Sequence, residues 1–406
     1  MGALFVLLNA LAYIILFVVG WRKRREIDIY ILIVLLYALT AIMCFLYYRI
    51  EYNTYPGISL IPFVYLYFVL MLFLKPVRQL HINRIENTFT NNSFLKILIL
   101  VFICFAFYDI ITSFTHTQEI IQNGAYNELR DQGYVDEDSV ELYSNSYQRM
   151  AKNICSYLSP FAIVYFFSML SSKKPQKLLM SFVMISIVVP SFIAAVADAS
   201  RGMIVSLIFQ LLIGYLLFRN AIPNKRKKYI YLGSVAILAV FLSYTIAVTV
   251  SRFGDESNDS LFMYFGHSML SFNDGIYYSV TQYSCGSKFF DWFVSLFGIE
   301  SFFPHAAGVK HPGSFITFIG SLYIDFGAVG TVCVALLAQL IVKRFFLKRN
   351  IKLSDCIIII FYSTTLANGI FVSSRNRALM WIMTFVVYYI VKLGERYSNN
   401  KIELYG

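Results

Sequence analysis

Residues 29–48 read IYILIVLLYALTAIMCFLYY. No charged side chain interrupts this run, and about 20 helical residues suffice to cross a hydrocarbon layer of about 30 Å. Runs of the same kind recur outward from it, near 2–20, 58–74, 95–113, 153–170, 178–197, 202–218, 229–250, 315–342, 353–372 and 378–391. The sequence therefore predicts about eleven membrane-spanning segments. Composition agrees: of 406 residues 58% are hydrophobic and only 14% charged, and mean hydropathy is +0.64. Those values exclude a soluble globule with polar outer faces. Helices are the way so much backbone is satisfied in lipid, so the expected fold is an all-α polytopic membrane protein, residues 1–406 forming one membrane domain.

Orientation follows from the basic residues, because short loops rich in Lys and Arg stay cytoplasmic. The clusters Arg22 to Arg25, Lys75 to Arg84, Lys173 to Lys177, Lys225 to Lys228, Lys343 to Lys352 and the tail from Lys392 fall on alternate loops. With an odd number of spans, the N-terminus is expected outside and the C-terminus inside. On that assignment the net charge of +11 divides into about +18 inside and about −7 outside. The basic balance is a topology signal and requires no nucleic acid. The first apolar run precedes its basic cluster, the reverse of a secretory signal, and reads as a retained N-out anchor. Cys44, Cys104, Cys155, Cys333 and Cys356 lie in or beside spans and Cys285 stands alone in an outer loop, so neither a disulfide framework nor a metal knuckle is indicated.

Two outer segments are long: 114–152, acidic with Asp131, Asp136, Glu137, Asp138 and Glu141, and 251–314. The chain has no GxxxxGK[ST] loop, which argues against ATP-driven work. Within 251–314, Leu261 to Leu270 (LFMYFGHSML) and Phe289 to Phe297 (FFDWFVSLF) are apolar and aromatic but too short to span. Both are expected as interfacial or re-entrant helices at the outer face.

Three Ser-Arg pairs, Ser200-Arg201, Ser251-Arg252 and Ser374-Arg375, lie at the outer ends of apolar runs, and Arg377 follows the last. Basic residues are scarce on that side, and outside they are mostly Arg, which grips phosphate oxygens in bidentate fashion. A helix starting after Arg201 adds free N–H groups that favour an anion. An interfacial Arg also snorkels to headgroups or pairs with an external acid such as Asp198 or Asp325. Gly202, Ser206, Gln210 and Gly214, at four-residue intervals, form a small and polar stripe expected to face neighbouring helices. His311 stands just before the ninth span and can exchange a proton near neutral pH. Asp325, inside that span, is an intramembrane carboxylate of the kind that is paired or functional. Gly327 and Gly330 suit close helix approach.

At these residues the chain resembles a family. The SRG turn (Ser200 to Gly202), the long loop opened by Arg252 and carrying YFGHSMLSFND (Tyr264 to Asp274), and the GSLYIDFGAVG span (Gly320 to Gly330) look like the Wzy-type oligosaccharide repeat-unit polymerases, relatives of the O-antigen ligases. The resemblance implies a GT-C-like bundle in the bacterial inner membrane. It implies transfer of a growing glycan from undecaprenyl diphosphate to a new lipid-linked repeat unit at the periplasmic face, without a metal or other cofactor. A chain-length regulator and a flippase are the partners it suggests. By motif, Arg201 and Arg252 match arginines that contact pyrophosphate, with Arg375 or Arg377 a looser match. His311 occupies the place of a ligase histidine, although the stretch that follows it is longer than in ligases, which favours polymerase.

The chemistry fits that inference. Departure of a diphosphate develops negative charge that clustered Arg stabilises, and an acceptor hydroxyl needs a general base, for which His311, Asp325 and Asp274 are the candidates. No pattern with metal-ligand spacing is present. A competing class is a lipid-linked oligosaccharide transporter, which usually shows internal repeats; none is visible between the halves.

Overall fold

The computed structural model describes residues 1–50, 54–81, 84–86, 92–123, 146–173, 175–197, 202–235, 260–310, 315–371 and 377–404, with isolated positions 239 and 243. Among the described residues the chain is predominantly helical, and its long apolar helices are those of an all-α polytopic membrane protein. Eight described helices are long and apolar enough to cross a membrane: Gly2–Arg24, Ile29–Ile50, Leu60–Arg78, the first part of Ser93–Asn123, Ser146–Ser171, Lys177–Ala197, Phe318–Phe346 and Arg377–Leu404. Two shorter apolar helices, Gly202–Phe218 and Leu353–Asn368, fall on two more of the expected runs. The remaining run, 229–250, begins in helical residues 224–235 and continues largely outside the described residues.

Local signals set the helix ends. Arg25 takes a left-handed conformation (φ 55°) and its N–H donates to the Trp21 carbonyl, closing the first helix after its basic turn. Asp28 opens the next one by accepting from the Ile31 N–H at 2.8 Å, and the Arg24 guanidinium pairs with the same carboxylate.

The chain divides into two compact units interleaved in sequence, residues 1–81, 258–349 and 362–382 in one and 82–257, 350–361 and 383–406 in the other. In the first, helix 29–50 packs between helix 2–24 and the Ser260–Gly275 helix, and helix 60–78 lies along helix 318–346. Tyr37 donates its hydroxyl to the Leu366 carbonyl (3.2 Å) and Tyr362 to the Phe73 carbonyl (2.7 Å), so buried phenols tie the 362–382 stretch to its neighbours.

In the second unit, helices 93–123, 146–171, 177–197 and 202–218 pack on one another. Short parallel strands Arg84–Glu86 and Asn350–Lys352 pair. Glu395, 2% exposed, accepts from both the backbone N–H (3.1 Å) and the hydroxyl (2.7 Å) of Ser354, satisfying the start of helix 353–368. Two members of the stripe on helix 202–218 face a neighbour: Gln210 accepts from the Ser159 hydroxyl at 2.9 Å, and a Cβ at Gly214 would meet Phe167 and Ile163, while Gly202 is exposed.

Candidate functional site

Helix 318–346 is broken in its first third. Thr317 caps its start by accepting from the Gly320 N–H (3.2 Å), and helical geometry then fails at Gly327, where φ is 69° and ψ −175°. That conformation is essentially restricted to glycine, and a Cβ there would also press on the Tyr283 ring at 3.1 Å. A break at membrane depth is tolerated only where the backbone groups around it find partners. Here they do. The Ile324 carbonyl accepts from the Ser284 N–H (3.2 Å), the Gly327 carbonyl from the Thr331 hydroxyl (2.7 Å) and the Ala328 carbonyl from the Tyr65 hydroxyl (2.8 Å).

Just before the break sits Asp325, 2% exposed. Its Oδ1 accepts from the Ser284 hydroxyl (2.9 Å) and the N–H groups of Gly286 (3.0 Å) and Lys288 (3.3 Å), and its Oδ2 accepts from the Phe289 N–H (2.7 Å). Positive φ at Cys285 (51°) and Gly286 (93°) turns these amides to one side, making the concave anion site that successive N–H groups form. The anion that fills it is the protein's own carboxylate. Four donors, three on Oδ1 and one on Oδ2, fix the carboxylate onto the 284–289 loop, so Asp325 holds that loop in place.

Asp274, 6% exposed, plays a related part at the end of helix 260–275. It accepts from the Gly57 N–H at 2.7 Å, while Asn273 beside it donates to the Ser59 carbonyl (2.7 Å) and accepts from the Ser59 N–H (2.9 Å). These two side chains hold the turn that starts helix 60–78.

Phe272, the third residue of that end, joins a ring cluster. Tyr65, Phe272, Tyr277, Tyr283 and Tyr323 make aromatic contacts with centroid separations from 5.3 Å (Tyr277 and Tyr323) to 6.2 Å (Tyr65 and Phe272). Tyr323 donates to the Tyr277 carbonyl at 2.8 Å. Burial, then neighbouring Tyr278 and Tyr283, push the Tyr277 phenol above its ordinary range, so it stays neutral at physiological pH. The stretches YFGHSMLSFND and GSLYIDFGAVG thus meet at Phe272 and Tyr323, where the rings stand 5.6 Å apart.

His267, in the first stretch, is 7% exposed and packs its ring against Tyr47 and Tyr55 at 6.0 and 5.7 Å. Arg201, Arg252, Arg375 and His311 lie outside the described residues, as do their serines Ser200, Ser251 and Ser374. Arg377 begins the Arg377–Leu404 helix, and the structure describes its backbone alone. Residues 124–145 of the acidic stretch 114–152 are likewise outside.

Sequence reasoning missed the rest of this constellation. Tyr65, Ser284 and the backbone of Gly57 are brought to the site by contacts 41 to 263 residues apart in sequence, and no local pattern marks them. It also missed a polar network in the second unit. Asp109, 3% exposed inside an apolar helix, accepts from the Ser113 hydroxyl (3.2 Å), which in turn accepts from the Gln148 amide (2.7 Å). A lone acid inside an otherwise apolar run was the available signal.

Among the described residues, no group of three or more His, Cys, Asp or Glu side chains is placed to hold a metal ion. Comparison with known proteins returns no match to a family model, to a curated protein or to a solved structure.

Proposed function

We propose that this chain is a membrane glycosyltransferase that polymerises undecaprenyl-diphosphate-linked oligosaccharide repeat units into a surface polysaccharide. The observation that carries the reading is the meeting of two of its three motif stretches, YFGHSMLSFND and GSLYIDFGAVG, through Phe272 and Tyr323 beside a broken helix. Discontinuous helices whose freed backbone is satisfied by side chains are a recurrent way of building a ligand site within a membrane. The rings of Tyr65, Tyr277 and Tyr283 are only partly buried, and an aromatic face with a polar tip suits an amphipathic ligand such as a glycan.

In this reading the chain crosses the bacterial inner membrane about eleven times, N-terminus out and C-terminus in, as a GT-C-like bundle with its site on the periplasmic face. Arg201 and Arg252, aided by Arg375 or Arg377, bind the pyrophosphate of the donor. The bond from the anomeric carbon to the diphosphate breaks, the acceptor hydroxyl forms the new glycosidic bond, and the leaving diphosphate keeps the electron pair against the guanidinium charges. His311, Asp325 and Asp274 are the candidates to take the acceptor proton.

A second reading, a transporter of lipid-linked oligosaccharide, draws on the polar network of the second unit, because Asp109, Gln148, Ser159 and Gln210 are polar groups inside spans. Their mutual hydrogen bonds are those of helix-to-helix adhesion, so polymerisation is preferred. Cells carrying Arg201→Ala or Arg252→Ala are expected to make the inserted protein and no polymer. Wild-type chain lengths in both variants contradict the assignment.

A further inference from the structure

The segment that follows the Asp325-gripping loop turns large apolar side chains outward. In and just after the short Asp291–Phe297 helix, Trp292 is 40% exposed, Leu296 59%, Phe297 67% and Phe302 81%, and Val294 alone among the residues of that helix is buried. Exposed apolar patches of this kind mark a partner surface or a membrane. Continuity with the spanning helices decides between them. Phe326 of helix 318–346 touches Phe289 (5.9 Å), Phe289 touches Phe290 (5.0 Å), Phe290 touches Phe293 (6.4 Å) and Phe293 touches Trp292 (4.8 Å). Further along the same helix, Val329, Leu336, Leu337 and Leu340 are exposed, as expected where a spanning helix meets lipid. The patch therefore continues the exposed apolar face of a helix long and apolar enough to cross a membrane.

Its polar atoms suit the boundary as well. Asp291 stands in the first turn, and the Ser295 hydroxyl donates to Glu300 at 2.9 Å. Trp with short aromatic neighbours favours the headgroup level. The segment is also held at both sides of Phe289, whose N–H donates to Asp325 and whose carbonyl accepts from the Ala378 N–H at 3.1 Å.

We infer that residues 290–302 dip into the bilayer leaflet beside helix 318–346, with Trp292, Leu296, Phe297 and Phe302 entering the boundary between headgroups and acyl chains. This rests on the membrane fold alone, whatever reaction the protein performs.

The chain has three tryptophans, so the full-length protein with Trp21→Phe and Trp381→Phe reports from Trp292. In phosphatidylcholine–phosphatidylglycerol vesicles, lipid brominated near its carbonyl end is expected to quench that emission at least about twofold, and more than lipid brominated near the chain terminus. Should the double variant fail to fold, the difference between wild type and Trp292→Phe in brominated vesicles reads the same residue. Emission unmoved by bromine and open to aqueous acrylamide overturns the inference. Emission unmoved by bromine and shielded from acrylamide only at high protein-to-lipid ratio overturns it too, assigning the patch to a second copy of the chain.

Discussion

Two short apolar segments between the same pair of expected spans, 260–275 and 289–302, look alike in sequence and have opposite surroundings. The first is sunk among spanning helices: residues 266–275 are all buried, and a Cβ on Gly266 would lie 2.6 Å from the Met43 carbonyl oxygen. The second turns Trp292, Leu296, Phe297 and Phe302 outward. Hydrophobicity does not separate them, since both are rich in Phe. Residue size and polar placement do. Gly266, Ser268 and Ser271 let helix 260–275 approach helix 29–50 closely, and Asn273 and Asp274 at its end hydrogen-bond to backbone across the unit. The second segment has bulky side chains where the first has small ones, and its backbone partners sit at its beginning, in the loop that grips Asp325. An apolar stretch too short to span is drawn inward by small residues and buried polar anchors, and left at the surface without them.

The contrast can be broken most forcefully at Gly266. Gly266→Leu drives a side chain into the backbone at Met43, and a destabilisation of about 3 kcal/mol or more is expected from overpacking with no room to relax. A thermal unfolding series in detergent checks it; an unchanged midpoint contradicts the close packing of helix 260–275. Asp325→Ala is next, because it strips one acceptor from four donors at once. Loss of about 2–4 kcal/mol is expected, with Asp325→Asn costing about half as much, since the amide keeps one acceptor oxygen. Equal losses in the two variants oppose the view that the carboxylate acts as an anion in an amide nest. The smallest effect belongs to the exposed segment: Phe297→Ser and Phe302→Ser should shift stability in detergent by less than about 0.5 kcal/mol. A loss as large as that of Gly266→Leu removes the distinction between the two segments.

Much of the fold is readable from charge-free runs, which is why helix 29–50 and nine others fall where the sequence expects spans. Length in lipid is a one-dimensional requirement. The site is less readable because its contacts are long-range. Asp325 reads as an ionisable group below the surface, which is correct as to burial, but its donors lie 36 to 41 residues earlier in a loop with no local mark. Gly327 reads as a glycine for close helix approach, whereas it serves as the point where the helix breaks. Asp109 is hidden by the apolar run around it. The Ser-Arg pairs remain a sequence argument: Arg201, Arg252 and Arg375 lie outside the described residues.

The central claim is chemical, and purified protein tests it most directly. Reconstituted in vesicles with lipid-linked oligosaccharides extracted from the cells that make this chain, and supplied with neither nucleotide nor metal, the wild-type protein is expected to yield a ladder of lengthened glycans that Arg201→Ala and Arg252→Ala abolish. Folded wild-type protein that leaves every oligosaccharide at single-unit length, or moves it across the bilayer unchanged, contradicts the account.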